Sequence, residues 1–246
     1  MKVVIVMTYY DRLALLKNTL DSFTYTKATD FEVVIVDDAS PSPIPALEYK
    51  FPIHIIRLAR KLCPNTSPLH NMAFYHALCL GADIVLIQNA ECYHWGDVIS
   101  EALKVTEENY LAFGAYSLGK EEQPCNEVIK DRIVEFTGDS GWYNHSVYRP
   151  HGFHFCTAIT IANLKKLNGF DERLYAGVAF EDNMFVHQIK NLGLRIDFID
   201  RPMVFHQWHY NQGLSREELV LQNQNVWLEL EKETGYRGVH TLTPDL

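Results

Sequence analysis

Polar residues that follow apolar runs are the side chains in this sequence best placed to do chemistry. Asn89 and Glu91 come just after the apolar run 84–87. Such a run predicts a buried parallel strand, whose carboxyl end is where open α/β sheets bind ligands. Two residues apart, the side chains point the same way, so Glu91 could bind an oxygen-loving cation and Asn89 could add a neutral oxygen. A cation site and simple capping of the strand both fit this stretch taken alone.

An acidic pair elsewhere in the chain strengthens the case for a site. Asp37 and Asp38 follow another apolar run, 32–36. In a doubly wound sheet these acids and Glu91 would lie along one edge and face the same crevice. A carboxylate of the pair could accept hydrogen bonds from a base or a ribose, while Glu91 holds a metal against phosphates. Because acids from two separate strand ends would face one crevice, a nucleotide and metal site is favoured over simple capping of the strands.

A second acidic pair, Glu181 and Asp182, begins a predicted helix. Acids in a first helical turn complement the helix dipole, which explains most such pairs without a catalytic role. Here the apolar, glycine-containing segment 177–180 precedes the two acids, which favours their placement at a pocket rather than in solvent. A partly desolvated carboxylate at this point could accept a proton from an attacking hydroxyl, the role of a general base.

Two histidine pairs are weaker signals. His206 and His209 follow an apolar segment, and His151 and His154 lie in an aromatic loop. A pair three residues apart can bind a metal, although a core or surface pair is the more common arrangement. The sequence contains no G-x-G-x-x-G, G-x-x-x-x-G-K-[ST], G-x-S-x-G or H-E-x-x-H. Dinucleotide, Walker-type, serine-hydrolase and zincin chemistry therefore lack their usual markers.

The loop 140–155 is rich in aromatic and histidine side chains, including Trp142. Aromatic faces with polar tips suit the recognition of a sugar or a base, so the loop could line a pocket. Packing of the same rings beneath the sheet fits equally well. If the loop lines a pocket, Trp142 would contact the acceptor, the molecule whose hydroxyl attacks. Glu181, at the start of the predicted helix, would contact the same acceptor.

Composition excludes several classes of protein. The 246 residues carry a formal charge of -9, so the chain lacks the basic surface that binds nucleic acid, and a diphosphate ligand would need a cation or a local Arg/Lys cluster. The five cysteines are odd in number and never spaced as C-x-x-C, which argues against a disulfide scaffold and a zinc ribbon. No run is long enough to span a bilayer. We therefore expect a soluble cytoplasmic protein.

The elements that must position these residues alternate regularly in the first half. The periodicity predicts strands at 3–7, 32–36, 53–58 and 84–87, with helices at 13–23 and 67–80. This alternation indicates a Rossmann-like, doubly wound parallel sheet. The second half is less regular: we expect helices at 96–106, 128–136, 181–191 and 215–235, a helical turn at 164–167, and strands at 110–118, 155–161, 195–199 and 203–205.

With these residues laid out, most of the chain resembles a family 2 glycosyltransferase of the GT-A fold. The segment 3–12 is similar to the first strand of the family, in which a Thr and a Tyr approach the nucleotide; here these are Thr8 and Tyr10. The segment 34–40 resembles the base-recognition strand, whose second Asp contacts uracil, which would be Asp38. Asn89 joins this nucleotide-binding set.

The acceptor side carries the resemblance further. Gly169-Phe170-Asp171-Glu172, followed by Glu181 and Asp182, is similar to the acceptor-side element of the family, with Asp182 in the place of the general base. The family usually carries Asp-x-Asp where this chain reads Asn89-Ala90-Glu91, so Glu91 keeps the metal-binding carboxylate. The histidine after the last core strand would complete the metal shell, and His206 is preferred to His209 because it follows the apolar segment directly.

The resemblance implies a single GT-A domain over 1–246, with a mostly parallel sheet and a smaller acceptor-side subregion. Residues 1–92 would bind the nucleotide sugar, 93–214 would bind the acceptor and catalyse, and 215–246 would form a helix and tail. The implied reaction is an inverting, Mn²⁺- or Mg²⁺-assisted transfer from a UDP-sugar to a hydroxyl of a glycan or another acceptor. A sugar nucleotidyltransferase and a degenerate nucleotide-sugar-binding protein are the alternatives.

Overall fold

A computed structural model describes residues 1–122, 141–210 and 216–246 of the chain. The strands in these residues are β1 (Val3–Tyr9), β2 (Phe31–Asp37), β3 (Ile53–Arg57), β4 (Ile84–Gln88), β5 (Cys92–Trp95), β6 (Asn109–Ser117), β7 (Trp142–Asn144), β8 (Cys156–Thr160) and β9 (Arg195–His206). The helices are α1 (Leu13–Phe23), α2 (Ser67–Cys79), α3 (Val98–Ala102), α4 (Ile161–Leu167), α5 (Glu181–Asn191) and α6 (Glu217–Leu230), and a 3-10 turn spans Glu172–Leu174.

The first four strands form a parallel half-sheet in the order β3-β2-β1-β4, as predicted. Residues 3–7 of β1 are fully buried because the strand lies between two helical layers. The register pairs Tyr9 with Asp37, so β1 and β2 end at the same edge of the sheet. The polar residues that follow these strands therefore meet along one line.

The second half of the sheet mixes directions. β8 runs antiparallel to β4, β6 runs antiparallel to β8 and parallel to β9, and β5 closes the order antiparallel to β9. In the last of these pairings Cys92 faces His206. The pairing brings the end of β9 beside the segment that follows β4, although the two are more than one hundred residues apart in the chain.

Two apolar layers cover the faces of the sheet. On one face Leu16, Leu20 and Phe23 of α1 are buried, at the spacing that the helical period requires. On the other face Phe170 stacks between Phe74 of α2 and Phe185 of α5, with ring centroids 5.8 and 4.3 Å apart. These layers hold α2 and α5 at the edge where the acids gather.

Some elements differ from the prediction. The expected strands 195–199 and 203–205 form one strand, because β9 keeps its pairing with β6 across an irregularity near Phe113. β5 was not predicted, since four residues carry too little periodicity to mark a strand. The helix expected at 96–106 is limited to Val98–Ala102, and the helix expected at 128–136 lies outside the described residues.

No helix among the described residues is long and apolar enough to cross a membrane. The cytoplasmic location remains a prediction.

Candidate active site

A cavity of about 370 Å³ opens at the carboxyl edge of β1, β2 and β4. Its lining includes Thr8, Tyr10, Asp38, Asn89, Glu91, Glu181 and Asp182, all of which are site residues predicted from the sequence. Acids that are far apart in the chain thus converge on one space, as the arrangement of strand ends requires. The volume is within the range of small-molecule sites.

Asp37 and Asp38 are adjacent in the chain but have different environments. Asp37 is fully buried; its Oδ2 lies 2.8 Å from Nη1 of Arg57, and its Oδ1 accepts a hydrogen bond from the backbone N–H of Ser40 at 2.9 Å. Asp38 lines the cavity, and its Oδ1 is buried with no hydrogen-bond partner among the described residues. Burial raises the pKa of Asp38 against the opposing charge of Lys61. Asp37 therefore holds the strand end in place, while Asp38 has an oxygen free for a ligand.

Three cationic side chains line the same cavity. Lys61 Nζ lies 3.9 Å from Asp38 Oδ2 and 3.5 Å from the centroid of the Tyr10 ring, and Arg12 and Arg216 are the other two. These residues form the local basic cluster that a diphosphate would need in a chain of net negative charge. These three residues were not predicted as site residues, because nothing in their spacing marks them as neighbours.

A carboxylate and two imidazoles meet beside the cavity. Oε1 of Glu91 lies 3.3 Å from Nε2 of His206 and 3.3 Å from Nε2 of His209. The potential ligand atoms of these residues all lie within 4.8 Å of one another. The position of His206 directly after the apolar segment favours it over His209, whereas the structure brings both histidines to Glu91.

The electrostatics of Glu91 favour its charged form. Burial raises its pKa, but hydrogen bonds and charges from His206, His209 and Arg12 outweigh burial and hold the pKa of this carboxyl well below its usual range. One carboxylate and two imidazole nitrogens form a donor set suited to a divalent transition metal, and Asn89 is close enough in the chain to add an oxygen. The residues present therefore fit a divalent cation.

The opposite part of the cavity contains the acids of α5. Asp182 Oδ1 accepts a hydrogen bond from the backbone N–H of His154 at 2.7 Å, and Nδ1 of the same histidine lies 2.5 Å away. Oε2 of Glu181 accepts a hydrogen bond from Nδ2 of Asn65 at 2.9 Å. Burial, followed by the charge of Asp182, raises the pKa of Glu181. Oδ2 of Asp182 receives no hydrogen bond from the described residues.

The aromatic loop fits both of the interpretations that the sequence left open. His154 and Phe155 line the cavity. Trp142 does not: its ring is 5% exposed and packs with the buried cluster Leu118, Met203 and Phe205, which lies apart from the cavity lining. The predicted contact of Trp142 with an acceptor therefore has no support in the described geometry, because this ring fills a core. His154 contacts Asp182, whereas His151, the other histidine of this weak H-x-x-H signal, is exposed and stacks on Phe153.

A parallel half-sheet with acids along its carboxyl edge, joined to a mixed half-sheet that supplies histidines and further acids, defines a protein of the GT-A class. The chain belongs to Glycosyl transferase family 2, whose sequence profile matches residues 4–153, more than half of its length. No curated protein matches the sequence.

Solved structures agree on the fold. The chain is similar to S. aureus TarS 1-349 in complex with UDP, with a TM-score of 0.63 and 15% identity over 94% of this chain and 64% of that one. It is similar to the mannosyltransferase PcManGT from Pyrobaculum calidifontis in complex with GDP-Man and Mn²⁺, with a TM-score of 0.55 and 16% identity over 93% and 64%. It also resembles GalNAc-T7 with UDP, GalNAc and Mn²⁺, with a TM-score of 0.60 and 11% identity over 94% and 49%. The chain spans less than two thirds of the length of each.

Proposed function

We propose that this protein transfers a sugar from a UDP-sugar to a hydroxyl group of an acceptor, with inversion at the anomeric carbon. The observation that carries the proposal is the convergence of Asp38, Glu91 and Asp182 on one cavity. A nucleotide contact, a metal ligand and a candidate base then lie within reach of a single substrate. In this arrangement residues 1–92 bind the donor, and 93–214 supply the base and bind the acceptor.

The choice of uridine rests on Asp38. Its buried Oδ1 has no hydrogen-bond partner among the described residues, which is costly unless a ligand supplies a donor. The N3–H group of uracil is such a donor, and two of the similar solved structures contain UDP. A guanine donor, as in the mannosyltransferase structure, is the alternative that a nucleotide panel distinguishes.

The charge of the diphosphate is met by two sets of groups. Arg12, Lys61 and Arg216 line the cavity as cations. Glu91, His206 and His209 would hold a divalent cation, which supplies positive charge to the leaving group when it is bound. Two imidazole ligands favour Mn²⁺ over Mg²⁺, because Mg²⁺ prefers an all-oxygen shell.

Asp182 would act at the other end of the reaction. Its free carboxylate oxygen takes the proton of the acceptor hydroxyl, and the acceptor oxygen forms the new bond to the anomeric carbon. The bond between that carbon and the diphosphate breaks on the opposite side, so UDP leaves and the configuration inverts. Glu181, which is engaged by Asn65, would contact the acceptor without taking its proton.

A panel of nucleotide sugars tests the proposal. With Mn²⁺ and water as the acceptor, we expect slow release of UDP from one UDP-sugar, and NMR of the first-formed sugar should show the anomer opposite to that of the donor. Asp182→Asn should lower the rate by about 100-fold or more while UDP affinity stays unchanged by calorimetry. Glu181→Gln, in the same helical turn, is the matched comparison and should retain a larger share of the rate.

Other outcomes would reject this function. Pyrophosphate formed from UTP and a sugar phosphate would identify a nucleotidyltransferase. Tight binding of nucleotide sugars with no release of nucleotide under any condition would identify a binding protein. An unchanged rate in Asp182→Asn would remove Asp182 as the base.

A further inference from the structure

One side chain in the cavity, His154, has no part in the mechanism above, although it contacts the proposed base more closely than any other described residue. Both its backbone N–H and its ring Nδ1 approach the same oxygen, Asp182 Oδ1, at 2.7 and 2.5 Å. This Nδ1 is buried, and its close contact with Oδ1 lacks hydrogen-bond geometry, so it has no hydrogen-bond partner among the described residues. Asp182, which lines the cavity, is thus held at Oδ1 by the backbone hydrogen bond and the close imidazole, and its Oδ2 receives no hydrogen bond from the described residues.

The surroundings of His154 fix its ring. The residue is 6% exposed, and its ring meets His70 and Phe170 edge-on, with centroids 4.8 and 5.0 Å apart. Nδ1 of His70 faces the backbone oxygen of Thr66 at 3.0 Å, so His70 is anchored to its own helix. Because the interior is closely packed, the imidazole of His154 cannot rotate away from Asp182 without displacing these rings.

We propose that His154 is a positioning residue for the base: as an imidazolium it holds Asp182 by Oδ1 and directs Oδ2 at the acceptor hydroxyl. This inference rests on the proposed function, in which Asp182 takes the proton of the acceptor. The proton moves from the acceptor oxygen to Oδ2 and later to solvent. His154 already carries its own proton, so none passes to it.

The charges around His154 support this protonation state. Burial lowers its pKa, but the carboxylate of Asp182, and next that of Glu181, raise the pKa by more, so that it stands above its ordinary value. His70 is the opposing neighbour; burial and the charge of His154 lower the pKa of His70 well below its ordinary value. The pKa values of the two facing imidazoles therefore shift in opposite directions, and the charged form is favoured at His154.

Two variants of His154 separate geometry from charge. His154→Ala removes both the ring contact and the charge, whereas His154→Asn keeps an amide donor near the position of Nδ1 and removes only the charge. Both variants retain the backbone hydrogen bond to Asp182. His151→Asn, three residues earlier in the same loop and exposed, is the matched control.

We expect His154→Ala to lower kcat by about tenfold or more at every pH, with the KM for the donor and the affinity for UDP unchanged. In His154→Asn, kcat should recover most of this loss, because the amide keeps a donor beside Oδ1 of Asp182. His151→Asn should match the unmodified protein in kcat and in the KM for the donor.

A second measurement does not depend on sugar transfer. NMR titration of the imidazole signals should place the pKa of His154 above that of an ordinary histidine, and Asp182→Asn should lower it. An unchanged His154 titration in Asp182→Asn, an unchanged kcat in His154→Ala, or a loss that falls entirely on the KM for the donor would overturn the inference. If no nucleotide sugar is turned over but Asp182→Asn lowers the pKa of His154, the ion pair is supported and the proposed function is rejected.

Discussion

Nη1 of Arg12 lies 2.7 Å from Oε1 of Glu91, and this is the same oxygen that His206 and His209 face at 3.3 Å. A guanidinium and a divalent cation compete at this oxygen, because both carry positive charge and both bind its lone pairs. Binding of a metal to Oε1 therefore favours release of Arg12 from Glu91. Because Arg12 also lines the cavity, its guanidinium can then pair with a phosphate.

The first prediction concerns this competition. Arg12→Gln should bind Mn²⁺ several-fold more tightly than the unmodified protein in the absence of nucleotide, because the competing cation is gone. The same variant should bind UDP about tenfold more weakly, since a charge-assisted hydrogen bond to a phosphate is lost. Electron paramagnetic resonance of free Mn²⁺ and calorimetry with UDP measure the two effects. Arg60 is exposed and lies outside the cavity lining, so Arg60→Gln is the control. Weaker Mn²⁺ binding in Arg12→Gln would contradict the competition between Arg12 and the metal.

The second prediction assigns the imidazoles of the metal site. His206→Gln and His209→Gln should each weaken Mn²⁺ binding by about tenfold or more, because each ring supplies one of three clustered donor atoms. His187→Gln, a histidine of α5 that contacts the backbone oxygen of Glu233, should leave Mn²⁺ binding unchanged. Loss of affinity in His206→Gln alone would restore the preference for a single histidine that the sequence favoured.

The third prediction contrasts two adjacent acids. Asp37→Asn should lower the free energy of unfolding by about 2 to 3 kcal/mol, because it breaks the buried side of the ion pair with Arg57. Asp38→Asn should leave stability within about 0.5 kcal/mol but weaken UDP binding, since its Oδ1 has no partner among the described residues to lose. Urea unfolding and calorimetry with UDP measure the two effects. Equal losses of stability in both variants would refute the division of roles.

The fourth prediction concerns pH and stability. His94 is buried, its Nε2 lies 2.6 Å from Oε1 of Gln88, and burial lowers its pKa to about 3. Near neutral pH His94 is neutral in both states, but between about 6.5, its pKa in the unfolded chain, and about 3 the unfolded state binds more protons, so titration of His94 progressively destabilises the fold as pH falls.

Replacing His94 should flatten this dependence. We expect His94→Gln to be about 1 to 2 kcal/mol less stable at pH 7, because a buried hydrogen bond is disturbed. The difference from the unmodified protein should shrink as the pH is lowered from 7 to 4. Urea unfolding at several pH values provides the measurement, and a constant difference across this range would show that His94 titrates alike in both states.

The sequence by itself determined the parallel half of the fold and the acids along its edge. Buried parallel strands appear as nearly continuous apolar runs, so β1, β2 and β4 were predictable from residue type alone. Because such strands must end at one edge, the meeting of Asp38 and Glu91 followed from their positions. The resemblance to family 2 placed Asp182 near them, and the structure places it on the same cavity.

Only the tertiary structure decided which partners surround these acids. Arg12 reaches Glu91 across 79 positions of the chain, and His209 reaches it because β5 pairs with β9. Trp142 has a side chain that suits a pocket and a core equally, and packing placed it in the core. Local patterns record how a residue faces within its own strand or helix, whereas contacts between distant residues depend on how the elements pack together, and no spacing in the sequence encodes that geometry.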